Sequence, residues 1–307
     1  MDKTIENRSE ILFVYDVVDA NPNGDPNDEN KPRIDEETGI NFVTDVRLKR
    51  TIRDYLYEYK KQEVFIRETL NESGTRKTKK ERLEEFKNNE ELLKKCIDLR
   101  LFGATTAVEG KDRMTLTGPV QFKYGRSLHR VDLTYVKGTT VIPSGEGKEQ
   151  GTFTERYILP YSLIAFYGIV NETAASTQEI PLTSDDIELM LEAIWHGTKN
   201  LISGSKFGQN PRLLLQIVYK PGNNYFIGEL DRRLSIRAEK ADEAIRNVSE
   251  LKLEVGQLVD AIKAVNDIIE QVRIKIDDRL QLVRDGQPVD LATALRNEKI
   301  NIQQFAF

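Results

Sequence analysis

ILFVYDVVDANPNGDP, residues 11–26, changes character halfway along. Its first eight residues, ILFVYDVV (11–18), are rich in β-branched and aromatic types with apolar side chains at odd and even positions alike. That pattern predicts a strand deep in a sheet. The rest is Asn, Asp, Pro and Gly, and three readings compete for it. Asp19, Asn21, Asn23, Gly24 and Asp25 fall at positions 1, 3, 5, 6 and 7 of a calcium loop, but position 12 holds Asn30 where a bidentate Glu is needed. Prolines 22 and 26 also disturb the tight wrap. A chain of Asx and Pro turns explains the same residues without a ligand. The third reading is a shaped loop lying beside a bound polymer.

Downstream, TDVRLKRTIRDYLYEYK (44–60) places Leu48, Ile52, Tyr55, Leu56 and Tyr59 at helical spacing, with Thr44 or Asp45 as N-cap. Lys49, Arg50 and Arg53 line one flank of this helix, with Arg47 farther round, and Asp54 is the acid that offsets them locally. Such a flank suits phosphates, or it is simply solvated.

Residues 64–72 read as a short strand or turn, and TKKERLEEFKNNEELLKKCIDLRLFG (78–103) as one charged helix ending near Gly103. MTLTGPVQFKYG (114–125) is a strand candidate. The Gly-, Thr- and Ser-rich stretch 132–156 reads as a protruding hairpin or loop, and RYILPYSLIAFYGIVN (156–171) as a buried strand. Ser184 is expected to cap the helix DDIELMLEAIWHGTKNL (185–201), and RLLLQIVYK (212–220) to be a strand. Beyond lie a short strand near 225–236 and a charged helical region from about 240 to 280. Without its insertions the order is strand, helix, strand, strand, helix, strand. This is an α+β class, the ferredoxin-like plan also used by RNA-recognition modules.

Composition narrows the function. No window approaches 18 consecutive apolar residues, so no membrane span is expected. The polar amino terminus and the single cysteine, Cys96, point to the cytoplasm. Net charge is −5, yet RLKRTIR (47–53) and RKTKKER (76–82) concentrate cations, which permits a basic groove on an acidic body. GSKFGQNPR (204–212) sets Lys206 beside Phe207, a cation and an aromatic suited to a phosphate and a base; the alternative places Phe207 in the core. GEGKEQG (145–151) lacks the ending and context of a phosphate loop. His129 and His196 are the two histidines, and neither metal-ligand spacing nor a nucleophile elbow is present. The expectation is no catalytic residue, no metal and no cofactor.

NPNGDPNDENKPRIDEETGINFVTDVRLKRTIRDY (21–55), with DLRLFGA (98–104), LTGPVQFKYGRSLHRV (116–131) and SGSKFGQNPR (203–212), resembles the backbone subunit of type I-B CRISPR Cascade complexes, the Cas-seven family, Csh-type. The resemblance implies a modified RRM/ferredoxin-like palm over 1–235, with fingers inserted at about 60–115 and a thumb at about 132–156. A helical extension over 236–307 would pack on the palm. It implies a non-catalytic antiviral scaffold that forms a helical oligomer along the CRISPR guide RNA (crRNA) and presents the guide to target DNA. Its partners would be copies of itself, a small capping subunit, a large subunit and a guide-processing endonuclease. Asn21, Asn23, Arg47, Lys49, Arg50, Arg53, Arg100, Lys206 and Phe207 become candidate RNA contacts. A metal-dependent ribonuclease using an Asp after the first strand, Asp25 with Asp19, is the alternative, since related type III subunits cut RNA from such a loop.

Overall fold

The computed structural model describes residues 4–106, 114–143 and 151–307. β1 (Ser9–Ala20) is the expected strand, extended by two residues at each end. Ile11, Phe13, Tyr15 and Val17 enter one core, while Leu12 and Val14 enter a second on the opposite face, because successive side chains of a strand alternate. The Asn/Asp/Pro loop closes as a short antiparallel pair, β2 (Gly24–Asp25) and β3 (Lys31–Pro32). β4 (Ile34–Asp35) and β5 (Ile40–Val43) follow. Thr44 then caps α1 (Asp45–Glu58), its Oγ1 accepting from the Arg47 N–H at 3.3 Å. Leu48, Ile52, Tyr55 and Leu56 of α1 are buried as their spacing requires.

The single helix expected over 78–103 is instead three short ones, α2 (Lys79–Glu84), α3 (Asn89–Lys95) and α4 (Ile97–Phe102). Asn88 caps α3, and Cys96 adopts an extended conformation between α3 and α4. These breaks let Phe65, Leu83, Phe86, Leu92, Cys96 and Leu99 converge on a small separate core. β6 (Gly103–Thr106) then pairs with β7 (Met114–Thr117). Gly103 has φ +67° and ψ −178°, a backbone region that essentially only glycine occupies. Gly118 lies so close to Phe102 that a Cβ would sit 2.0 Å from the Phe102 carbonyl carbon. This glycine interrupts the strand expected over 114–125, which resumes as β8 (Val120–Phe122).

β9 (Gly125–Arg130) precedes a long hairpin of β10 (Thr134–Pro143) and β11 (Gly151–Val170), whose register runs from Thr134↔Ile158 to Pro143↔Gly151. Most of GEGKEQG lies outside the described residues. After α5 (Glu172–Thr177), Thr183 rather than Ser184 caps α6 (Ser184–Lys199). Its hydroxyl accepts from the Asp186 N–H, and the Asp186 carboxylate accepts from its backbone in return. β12 (Gln209–Tyr219) follows.

The carboxyl-terminal third departs most from expectation. β13 (Ser235–Ala238) falls at the end of the short strand expected near 225–236, and the helical reading of 240–280 gives way to β14 (Leu251–Glu254), α7 (Gly256–Lys263) and β15 (Ile269–Ile276). β16 (Leu282–Arg284), β17 (Gln287–Pro288), α8 (Leu291–Asn297) and β18 (Ile302–Gln304) complete the chain. In β15, Val272 and Ile274 are buried and their neighbours Arg273 and Lys275 lie on the other parity. That period of two is a strand signal carried by a charged segment.

The main sheet has the order β18-β15-β12-β1-β11-β9-β5-β4, with β8 and β10 also pairing on β11. α1 and α6 cover one face of its centre, and α7, α8 and β14 the other. No helix among the described residues is long and apolar enough to cross a membrane.

His129 is buried inside this frame, its Nδ1 donating to the Arg130 carbonyl at 2.8 Å and its Nε2 accepting from the Leu163 N–H at 3.2 Å. Burial lowers its pKa from 6.5 against the opposing pull of Asp242 and Glu243. The folded chain therefore binds this proton less readily than the unfolded one, so stability is lost as pH falls below about 6.5. Burial lowers His196 as well. Urea midpoints at pH 7.5 and 5.5 are expected to fall on acidification, and His129→Gln to remove part of that difference. Equal pH dependence in both proteins would contradict the assignment.

Candidate nucleic-acid interface

The loop after β1 is held by its own side chains. Asn23 Oδ1 accepts from the Thr44 N–H and hydroxyl, both at 2.9 Å, and so anchors the loop to the start of α1. Asn21 is buried; its backbone N–H donates to the Ser205 carbonyl at 2.7 Å and its Nδ2 to the Asn30 carbonyl at 2.6 Å. The Asp25 carboxylate accepts from Arg33 at 2.8 Å and from the Asn27 N–H at 3.0 Å. Asn21, Asn23 and Asp25 thus face three different partners instead of one central ion. Asx-type turns account for the loop.

Three of the candidate cations lie in the interior. Lys49 pairs with Asp45 at 2.9 Å and lies over the Phe102 ring. Arg53 pairs with the fully buried Asp98 at 2.9 Å. Arg100 grips Asp186 through two bonds of 2.9 and 2.7 Å and donates to the Leu93 and Lys94 carbonyls. With at most 12% of their side chains exposed, these three tie α4 to α1 and α6 and offer little to a ligand. For Lys49 and Arg53 the expected solvent-facing phosphate flank of α1 is corrected by these carboxylates, one of which, Asp45, lies one helical turn before Lys49; Arg100, a separate candidate contact, is likewise engaged by Asp186.

Arg47, Arg50, Lys206 and Phe207 are brought together differently. A groove of about 350 Å³ runs between α1 and the loop 200–206, and Arg47, Arg50, Tyr59, Ile202 and Lys206 line it. Arg50 shares its guanidinium with Asp54 at 2.7 Å. Arg47 donates to Thr51 Oγ1 at 2.9 Å and has no carboxylate partner among the described residues. Burial lowers the pKa of Arg47, and burial together with the charge of Arg47 lowers that of Lys206. Two cations thus share a partly desolvated groove whose lining also holds Asp54, which pulls the Arg47 pKa back up, and Glu58; a bound anion would further relieve the pair. Phe207, next in sequence to Lys206, is 76% exposed, which removes the core alternative.

The 200–208 loop is tied to the main sheet through its backbone carbonyls. The Val18 N–H donates to the Gly208 carbonyl at 3.0 Å, and Arg156 of β11 donates to the Gly204 carbonyl at 2.7 Å. Arg156 and Ile202, which is 89% exposed, escaped the sequence reading. Arg156 lies 48 residues from its partner, and Ile202 reads in sequence as the tail of a helix.

Residues 7–256 match the family described as "CRISPR-associated protein Cas7". A curated relative of that description from Haloferax volcanii is 34% identical over 309 aligned positions, covering 91% of this chain and 89% of the relative. Two solved structures share the fold. A chain of a "CRISPR RNA-guided surveillance complex, pre-nicking" superposes with a TM-score of 0.59 at 12% identity, covering 97% of this chain and 96% of that one. A chain of a "CRISPR RNA-guided surveillance complex" gives 0.53 at 15% identity, covering 95% and 98%. Family match, relative and fold agree over nearly the whole length, and the chain belongs to the Cas7 family of CRISPR-associated proteins.

Proposed function

We propose that this protein is the non-catalytic backbone subunit of a cytoplasmic type I-B Cascade complex. It binds the guide RNA, lines up with copies of itself along it, and leaves sequence selection to pairing between guide and target DNA. A small capping subunit, a large subunit and a guide-processing endonuclease are its further partners. The observation that carries the reading is the Arg47–Lys206 pair, without a carboxylate partner among the described residues, beside the exposed Phe207. Cations meet phosphates and an aromatic ring stacks on a base, a combination that holds a single strand without reading its sequence.

The sheet supports a modified RRM-like palm. Taking β1, β9, β11 and β12 as the four strands of the split βαβ plan, their spatial order β12-β1-β11-β9 is 4-1-3-2, with α1 and α6 on one face. In this reading the fingers are 60–115, the thumb is the β10–β11 hairpin, and 236–307 extends the palm with strands as well as helices. The ion pair that engages Asp25 favours the scaffold over the ribonuclease.

Replacing Arg47 and Lys206 by alanine removes two phosphate contacts. The logarithmic salt dependence of RNA binding is expected to flatten by about 1.4, at about 0.7 per contact for single strands. An unchanged slope would move the guide elsewhere. Incubating labelled RNA with Mg²⁺ tests the rival, since cleavage abolished by Asp25→Ala would replace the scaffold with a nuclease.

A further inference from the structure

The basic stretch RKTKKER has no role in the groove just described, yet it forms one wall of a second concavity. This cleft, of about 470 Å³, lies between the segment 65–69, the residues 77–82 and the end of β6. Arg50, Arg67, Lys77, Lys79 and Arg82 line it, and among the described lining residues there is no Asp or Glu. The carboxylates that hold these cations do not line the cleft. Lys77 pairs with Glu85 at 2.8 Å, Arg82 with Glu63 and Glu85, and Arg50 with Asp54. Arg67 reaches Glu63 at 3.5 Å, so three carboxylates partner four of the five cations, and the cleft keeps a positive excess.

The wall is also pre-formed. Arg82 is 5% exposed, donates to the Val64 carbonyl at 2.9 Å and stands over the Phe86 ring. Arg67 stacks on Tyr57 with its guanidinium carbon 4.3 Å from the ring centroid, and its Nε is buried without an acceptor. Lys79 donates to the Thr105 carbonyl. Arg82 is spent on these internal bonds and only shapes the wall; Arg67 and Lys79, which are less buried, are the held donors, and donors held in this way lose little freedom when an anion arrives.

Arg50 lines both this cleft and the α1 groove. A polyanion lying against Arg47 and Lys206 therefore reaches the second cleft across one shared side chain. We infer that the cleft between 65–69 and 77–82 is a second phosphate-binding site, which takes the backbone of the same single-stranded nucleic acid as it leaves the α1 groove past Arg50. This rests on the RNA-binding reading of that groove. The shared arginine favours a continuous nucleic-acid strand over an acidic protein segment, which would need no continuity with the groove.

The test uses the full-length protein, single-stranded RNAs of about 6 and about 16 nucleotides, which span the footprints of single-strand binders, and the variant Lys77→Gln with Lys79→Gln. The preference for the longer RNA is expected to fall several-fold, and its salt slope to drop by about 1.4 for two lost contacts. In the wild-type protein the longer RNA should also protect Lys77 and Lys79 from acetylation while leaving Lys252, on β14, reactive; this readout needs no variant to fold. An unchanged preference and slope would overturn the inference and leave the groove intact. Loss of polyglutamate binding by the variant, with RNA binding unchanged, would overturn it in favour of an acidic protein partner. Failure of the wild-type chain to bind either RNA would overturn the groove reading and the inference together.

Discussion

Arg53→Glu is expected to destabilise the protein by at least about 3–5 kcal/mol, the cost of breaking a buried ion pair from one side. Asp98 is fully buried; besides Arg53 it accepts from the Phe65 N–H at 2.7 Å and the Ile66 N–H at 3.1 Å. A glutamate at 53 would set two carboxylates together where neither reaches water. Arg53 also stands over the Phe102 ring, so packing is lost with the charge. Arg53→Met combined with Asp98→Asn removes the like-charge clash and keeps one acceptor for the backbone, and is expected to recover more than half of the loss. Urea unfolding of the three proteins decides the matter. A loss below about 1 kcal/mol for Arg53→Glu, the range of an exposed pair, would show that Arg53 faces solvent after all. The same experiment separates folding from recognition. An RNA-binding defect in Arg53→Glu would reflect loss of the junction of α1 with α4 and the 65–66 segment, whereas Arg47 and Lys206 are substituted without orphaning a buried charge.

The contrast between those cations shows what the sequence can and cannot carry. β1 and the buried stripe of α1 are legible because their signals are local: composition over eight residues in one, helical spacing over four turns in the other. The separation of surface cations from buried ones is not local. Asp45 and Asp54, one turn from Lys49 and Arg50, are within reach of a helical reading, but the partner of Arg53 lies 45 residues away and that of Arg100 lies 86 away, so these buried cations cannot be told from exposed ones until the fold assigns their acids. β15 failed for a related reason. Arg273 and Lys275 give the segment a helical, solvated look, but Arg273 finds Glu188 on α6, and Lys275 lies over Trp195 and Phe307. The sequence leaves Phe207 open between a core plug and an exposed ring, since an aromatic bracketed by glycines suits either, and the fold places it outside. Ile202 carried no comparable flag.

Arg212→Ala is expected to cost about 3–5 kcal/mol as well, and to disturb the loop that carries Lys206 and Phe207. Arg212 is 3% exposed and lies between two acids. It holds the fully buried Asp16 of β1 through Nε at 2.9 Å and Nη2 at 2.8 Å, and reaches Asp277 beyond β15. It thereby fixes the start of β12, where the 200–208 loop ends, to the centre of the sheet. Burial pushes the Asp16 carboxyl above its usual range, and Arg212 opposes that shift. Without the arginine the shift grows, and folded Asp16 takes up a proton more readily than unfolded Asp16 does. Stability gained from that proton is present at low pH and lost as pH rises. The deficit of Arg212→Ala relative to wild type should therefore be larger at pH 7.5 than at pH 5.5, a difference of differences that the shared histidine titrations do not alter. Adding Asp16→Asn should erase this pH dependence by removing the orphaned carboxylate. If the deficit is instead the same at both pH values and survives Asp16→Asn, the contribution of Arg212 lies in packing and in Asp277, and the anchoring of the 200–208 loop must be sought at the Val18–Gly208 and Arg156–Gly204 bonds.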